Sequence, residues 1–217
     1  MRTFGYSDFL FILEAAQWTV LLSLIAFAGG GIVGLIIALS RTAENRVART
    51  LSMGFIQLFR GTPLLLQLFL VFFGAPVIGL DVNPWIAAAV ALTLNGGAFL
   101  GEIWRGCIEA VPRGQWEAAE ALNLSYRDKM RDVVLPQAAK IAVPPTVGYL
   151  VQLIKGTSLA SIIGFVELTR AGQIINNVTF EPMIVFSIVA VLYFMLCWPL
   201  SLLAASMERR LAVSQSR

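Results

Sequence analysis

Four stretches of this chain run for 20 residues or more without one charged side chain: residues 15–40, 61–80, 82–101 and 182–207. A helix rises about 1.5 Å per residue, so roughly 20 apolar residues cross the hydrocarbon of a bilayer. With no water to satisfy its backbone there, each run is expected to be an α-helix. A fifth candidate is split: 141–154, then Lys155, then 156–166. Together the two parts make one crossing only if Lys155 lies within or beside the membrane. The chain is 58% hydrophobic, above the roughly 45–50% of soluble domains. The expectation is an all-α integral membrane protein with five transmembrane helices, residues 1–217 forming a single transmembrane domain.

Orientation follows from where Lys and Arg collect. Arg41, Arg46, Arg49 and Arg60 lie between the first two spans. Arg105, Arg113, Arg127, Lys129, Arg131 and Lys140 follow the third, and Arg209, Arg210 and Arg217 close the chain. Only Arg2 and Arg170 fall on the other side. Five spans then put the N-terminus outside, with the central loop (about 112–136) and the C-terminus inside. The net charge of +3 is an orientation signal, and no nucleic-acid partner is read from it. Residues 1–15 carry Asp8 and Glu14 and lack a basic start with a cleavage site, so no removable signal peptide is expected. Cys107 and Cys197 make no disulfide framework. The chain has no His, the commonest metal ligand, and no metal site is expected.

The most ordered charged stretch is Gly114 to Pro136, which reads as two short helices set at an angle. At 100° per residue Trp116, Ala118, Ala119 and Leu122 share one arc, with Glu117 and Glu120 opposite. Asn123 follows, and Asn enters the left-handed region at the least cost after Gly. Ser125 and Asp128 approximate a capping box for the second helix. Tyr126, Met130, Val133 and Val134 form its apolar face, and Pro136 is expected to end it. The same pattern also suits amphipathic helices lying on a bilayer.

Other polar groups interrupt the spans. Ala26, Gly30 and Gly34 form a small-residue face for close helix approach, within the bundle or between two copies. Arg60-Gly61-Thr62-Pro63 precedes the second span, with Arg60 expected at headgroup level. Asn95 and Glu102 in the third span should face the bundle interior or a wet cavity, and Glu102 can also simply pair with Arg105. Pro144-Pro145 is expected to disturb the start of the split span. Lys155, Gly156, Thr157 and Ser158 put polar groups and flexible backbone in its middle. Interrupted apolar segments of this kind mark transport sites, although a kinked packing helix would look the same. Val166 to Glu181 is expected to be an external loop on which a binding protein could land.

Glu117-Ala118-Ala119, the turn at Asn123 and the ending Leu135-Pro136 resemble the Glu-Ala-Ala loop of membrane subunits of bacterial ABC importers, with Asn123 where Gly is usual. Arg60-Gly61-Thr62-Pro63 followed by Leu-Leu-Leu-Gln-Leu-Phe-Leu resembles the group importing polar amino acids (histidine, glutamine, glutamate, arginine, opines), as does Ala98 to Gly106. At Gly148-Tyr149 and Gly156 the chain lacks polar side chains frequent in that group. The missing acid at 156 argues against a cationic cargo. The resemblance implies a type I ABC importer permease fold in the bacterial cytoplasmic (inner) membrane. Its partners would be two ATPase subunits, a second permease subunit, identical or homologous, and an extracytoplasmic binding protein that delivers the amino acid. ATP and Mg would sit on the ATPase partner, with no cofactor in this chain. Gly114, Trp116, Glu117, Ala118, Ala119, Leu122, Asn123, Leu135 and Pro136 would couple to the ATPase. Asn95, Glu102, Lys155, Gly156, Thr157 and Ser158 would line the substrate pathway.

Two other classes fit less well. An ion-coupled carrier acting without an ATPase needs acids in the membrane, and Glu102 alone qualifies. A membrane-embedded enzyme needs a nucleophile with its base, or a metal cluster, and the sequence displays neither.

Overall fold

The computed structural model describes residues 2–43 and 45–215; Arg217, counted above among the terminal basic residues, lies outside them. Among the described residues every regular element is helical. In chain order they are α1 (Tyr6–Thr42), α2 (Arg46–Gly61), α3 (Leu64–Gly74) with a 3-10 extension Ala75–Ile78, and α4 (Pro84–Glu109). Next come α5 (Arg113–Ala121), the single turn α6 (Tyr126–Asp128), a π-helical stretch Lys129–Val134, and α7 (Leu135–Gly156) with a 3-10 extension Thr157–Ile163. The chain closes with α8 (Leu168–Thr179) and α9 (Pro182–Gln215).

Among the described residues four rods are long and apolar enough to cross a membrane: Tyr6–Thr42, Pro84–Glu109, Tyr126–Ile163 and Pro182–Leu211. The expected span 61–80 is different. It is the second half of a pair, α2 with Leu64–Ile78, bent by 102°. Pro63 causes the break: it lacks an amide hydrogen and drives the preceding residue out of the helical region. Thr62 is accordingly extended, at φ −114° and ψ 143°. A fifth crossing exists only if this pair counts as one.

The stripe of Ala26, Gly30 and Gly34 is used within the chain. A Cβ on Gly30 would stand 3.1 Å from the Gly96 backbone, and one on Gly34 would stand 2.9 Å from Leu100 Cβ. From α4, Gly97 and Gly101 receive Val33 and Ile37. Lipid offers no hydrophobic drive between helices, so this close approach is what packs α1 against α4. Trp18 meets Trp85 edge-on, and Trp85 stacks on Phe165, which levels the start of α4 and the end of the α7 rod with a point about three turns into α1.

Among the described residues, four apolar clusters hold the rest, one of them Val151, Ile154 and Cys197 between α7 and α9. Leu22, Leu68, Leu92 and Leu153 join α1, α3, α4 and α7. Ile12, Leu168 and Val185 join α1, α8 and α9. Ala38, Ile108, Val111, Met130 and Val134 gather where the central loop meets α1 and α4; this is called the elbow end below.

Several expectations need correction. The second helix of the loop does not stop at Pro136. Leu135 N–H bonds to Met130 O, five residues back. That wider π turn shifts the carbonyls that the proline ring would meet, so the rod continues. Pro144 and Pro145 lie inside α7, which turns into 3-10 geometry only at Thr157. Val166 to Glu181 contains a helix, α8. Glu167 caps it, its carboxylate accepting from Thr169 N–H and Arg170 N–H at 2.9 Å each. Phe180 is exposed there, and Thr179 is buried.

Candidate coupling elbow and membrane passage

The elbow begins with α5. Beyond it Asn123 adopts φ 54°. Asn123 N–H donates to Glu120 O at 2.8 Å and Leu124 N–H to Ala119 O at 3.1 Å. These two bonds form the Schellman closure that satisfies the last carbonyls of the helix. Ser125 caps the next turn, accepting from Asp128 N–H at 3.3 Å while its hydroxyl donates to Asp128 Oδ2 at 2.6 Å.

The single apolar arc expected on α5 is divided. Trp116 packs inward against the elbow-end cluster, and Ala119 is buried. Ala118 faces out, and Leu122 is 74% exposed. The chain itself occupies half of the arc, because a nine-residue helix this short needs its own anchor. Glu117 and Gly114 are exposed beside Ala118. Lys129 Nζ pairs with Glu120 at 2.6 Å and lies 5.8 Å from the Trp116 ring. Tyr126 OH donates to Thr42 O at 2.8 Å. With Leu135 and Pro136 inside the continuous rod, the elbow is joined rigidly to α1, α4 and α7.

The residues expected to line the passage differ in their partners. Asn95 is buried, donating to Gln67 Oε1 at 3.0 Å and Phe59 O at 3.3 Å. Gln67 Nε2 converges on Phe59 O, Thr62 O and Thr62 Oγ1 at 2.7, 3.0 and 2.9 Å. These are acceptors freed where α2 breaks at Pro63. Asn95 thus closes the bend between α2 and α3 against α4.

Two turns nearer the elbow, Glu102 makes the expected pair with Arg105, at 2.7 and 2.8 Å. Arg60 approaches Glu102 at 3.8 Å and lies over the Phe99 ring. Arg60 itself stays exposed. The bend carries the end of α2 inward along α4.

At the break in α7, Lys155 is exposed and Ser158 half-buried, its hydroxyl donating to Lys155 O at 2.7 Å. Thr157 has no exposure and donates to Ile154 O. Gly156 faces α3 and α4; a Cβ there would stand 3.2 Å from Leu64 Cδ2. No group of three or more His, Cys, Asp or Glu side chains among the described residues is placed to hold a metal.

A family model described as binding-protein-dependent transport system inner membrane component matches residues 30–213. The chain belongs to this family. It is 36% identical over 190 residues to the probable amino-acid ABC transporter permease protein YckA of Bacillus subtilis (strain 168), covering 88% of this chain and 84% of that one. It is 35% identical over 204 residues to the glutamine transport system permease protein GlnP of Escherichia coli (strain K12), covering 93% of each. A crystal structure of an amino acid ABC transporter with histidines superposes with a TM-score of 0.88 at 32% identity, over 96% of this chain and all of that one. The MetNI methionine ABC transporter, at 19% identity and a TM-score of 0.79, shares the fold.

For this inner membrane component, the sequence reading missed two side chains. Gln67 stood alone in a leucine run, a signal that it needed a buried partner. Glu167 was assigned to a loop, yet Glu followed by Thr169 and Arg170 N–H groups is a helix start. It is fully buried, and Tyr193 OH donates to its Oε2 at 2.6 Å. Burial pushes the Glu167 carboxyl above the ordinary range, against the downward pull of its hydrogen bonds to Tyr193, Thr169 and Arg170.

Proposed function

We propose that this chain is the transmembrane subunit of an ATP-driven ABC importer that carries polar amino acids or opine-like relatives across the cytoplasmic membrane. The names of its relatives support the substrate class. It would work beside a second permease subunit, with the N-terminus outside, the C-terminus and elbow inside, two ATPase subunits below and a binding protein docking outside. ATP and Mg would be held by the ATPase subunits.

One observation carries the mechanism: α5 leaves Leu122 and Ala118 uncovered while Trp116 and Ala119 fasten it to the bundle. The free half seats in the ATPase, and the fastened half passes its displacement on. Past the turn at Asn123 the elbow continues as the Tyr126–Ile163 rod, which tightens into 3-10 geometry at Thr157, beside Lys155 and Ser158. A push at α5 therefore moves the stretch proposed to gate the passage. Among the expected pathway residues, Lys155, Ser158 and Glu102 are those facing the solute, whereas Asn95, Thr157 and Gly156 hold the surrounding backbone.

The test is copurification followed by reconstitution. The chain should bring an ATPase subunit with it, and a panel of amino acids presented with the binding protein should stimulate hydrolysis selectively. Uptake by the chain alone, with no ATPase present, would instead place it among ion-coupled carriers.

A further inference from the structure

At the elbow end a cleft of about 470 Å³ opens between α1, α4 and α7. Leu35, Trp104, Ile108, Ala139 and Val143 are among its walls. The polar groups there are already paired: Trp104 Nε1 donates to Thr146 Oγ1 at 2.8 Å, and that hydroxyl donates to Ala142 O at 2.6 Å. An occupant of this cleft has nothing to hydrogen-bond and must be apolar along the part that enters. The walls belong mainly to rods long and apolar enough to cross a membrane. A helix with its side chains is roughly 10–12 Å across, too broad for this volume, whereas a methylene chain fits.

Two further clefts adjoin it. Leu135 is a wall both of the apolar cleft and of a second one lined by Tyr126, Arg127, Asp128 and Arg131. Val143 is likewise shared with a third, lined by Lys140 and Arg210. Asp128 alone is acidic among these linings, and it is occupied by the Ser125 hydroxyl. Arg131 makes only a distant pair with Asp132, at 3.9 Å. An apolar slot bordered by four cations complements an amphiphile with a hydrocarbon tail and an anionic head.

We propose that these adjoining clefts bind an anionic phospholipid, one acyl chain lying between Trp104 and Ala139 and the phosphate held by Arg127 and Arg131. The site touches the elbow and α7 together. A bound lipid would therefore brace the joint through which motion passes, making coupling responsive to the charge of the membrane.

The test uses the full-length chain, with its copurifying subunits, exposed to phosphatidylglycerol or phosphatidylcholine and read by native mass spectrometry for lipid retained. Phosphatidylglycerol should be retained in preference. The double variant Arg127→Gln, Arg131→Gln should lower its retention roughly ten-fold or more, since each cation near an anionic headgroup contributes roughly five-fold. Ala139→Trp, which fills the slot from an exposed position, should lower retention of both lipids. Equal retention of the two lipids by the unmodified protein would overturn the proposal without any variant. So would unchanged retention in either variant. Loss of copurifying subunits from the arginine variant, with lipid retention intact, would also overturn it and show that the arginines serve a protein partner.

Discussion

Asn95 donates its side-chain amide to Gln67 across 3.0 Å, and the two together close the backbone acceptors left open where α2 breaks at Pro63. A buried polar pair between helices in lipid contributes about 0.6 kcal/mol and up to about 1.7, and orphaning the Phe59 and Thr62 carbonyls adds to the loss. Gln67→Leu should destabilise the detergent-solubilised protein by about 1–3 kcal/mol. Asn95→Leu should cost less, because Gln67 Nε2 still reaches those acceptors. Thermal unfolding of both variants and of the double variant checks this: the two effects should be non-additive.

Gly34 and Gly101 are set by contact distance. Gly34→Leu would drive a side chain into Leu100, already 2.9 Å from the position of the first carbon. Overpacking of this kind costs about 1–3 kcal/mol, and here it parts α1 from α4. The expected result is a lower unfolding temperature and reduced membrane abundance. Gly54→Leu, where a Cβ meets nothing within 4 Å, is the matched control and should leave both unchanged.

Coupling should depend on the shape and on the free face of α5. Asn123 sits at φ 54°, which Pro cannot adopt. Asn123→Pro should therefore abolish substrate-stimulated ATP hydrolysis while the spans stay in the membrane, and Asn123→Gly should leave it intact. Leu122→Asp places a charge on the exposed apolar half and should weaken ATPase copurification about ten-fold or more, a loss typical of a central interface residue. Normal coupling in both disruptive variants at equal membrane abundance would remove α5 from the mechanism.

Glu167 should impose a pH dependence on stability. Its folded-state affinity for a proton is raised by burial, so its contribution is fully present below the ordinary carboxylate range and is lost as pH rises through the raised folded value. Glu167→Gln removes that titration. The unfolding temperature of the unmodified protein minus that of the variant should fall as pH increases across this window. A difference that stays flat or rises with pH would contradict the burial argument.

The legibility of this chain divides along physical lines. Helices 20 residues long announce themselves because lipid tolerates no other backbone and few charges, so α1, α4 and α9 were readable as uncharged runs. The turn at Asn123, the Ser125 cap and the Glu102–Arg105 pair were readable too, since each depends on residues within a few positions of one another. The split of the α5 arc was not readable, because Trp116 and Leu122 have the same character and only Ile108, Val111 and Met130 decide which is covered.

What the sequence determined by itself was the solvent this protein lives in, the helical state of its spans and the local stops and starts between them. Tertiary structure decided the rest: that the glycine stripe of α1 is used by α4, that Asn95 is held by Gln67, and that Pro136 lies within a rod instead of ending one. The reason is range. Hydrophobicity, caps and left-handed turns act between near neighbours, whereas the partner of a buried amide, or the surface that covers a helix face, comes from a segment dozens of residues away.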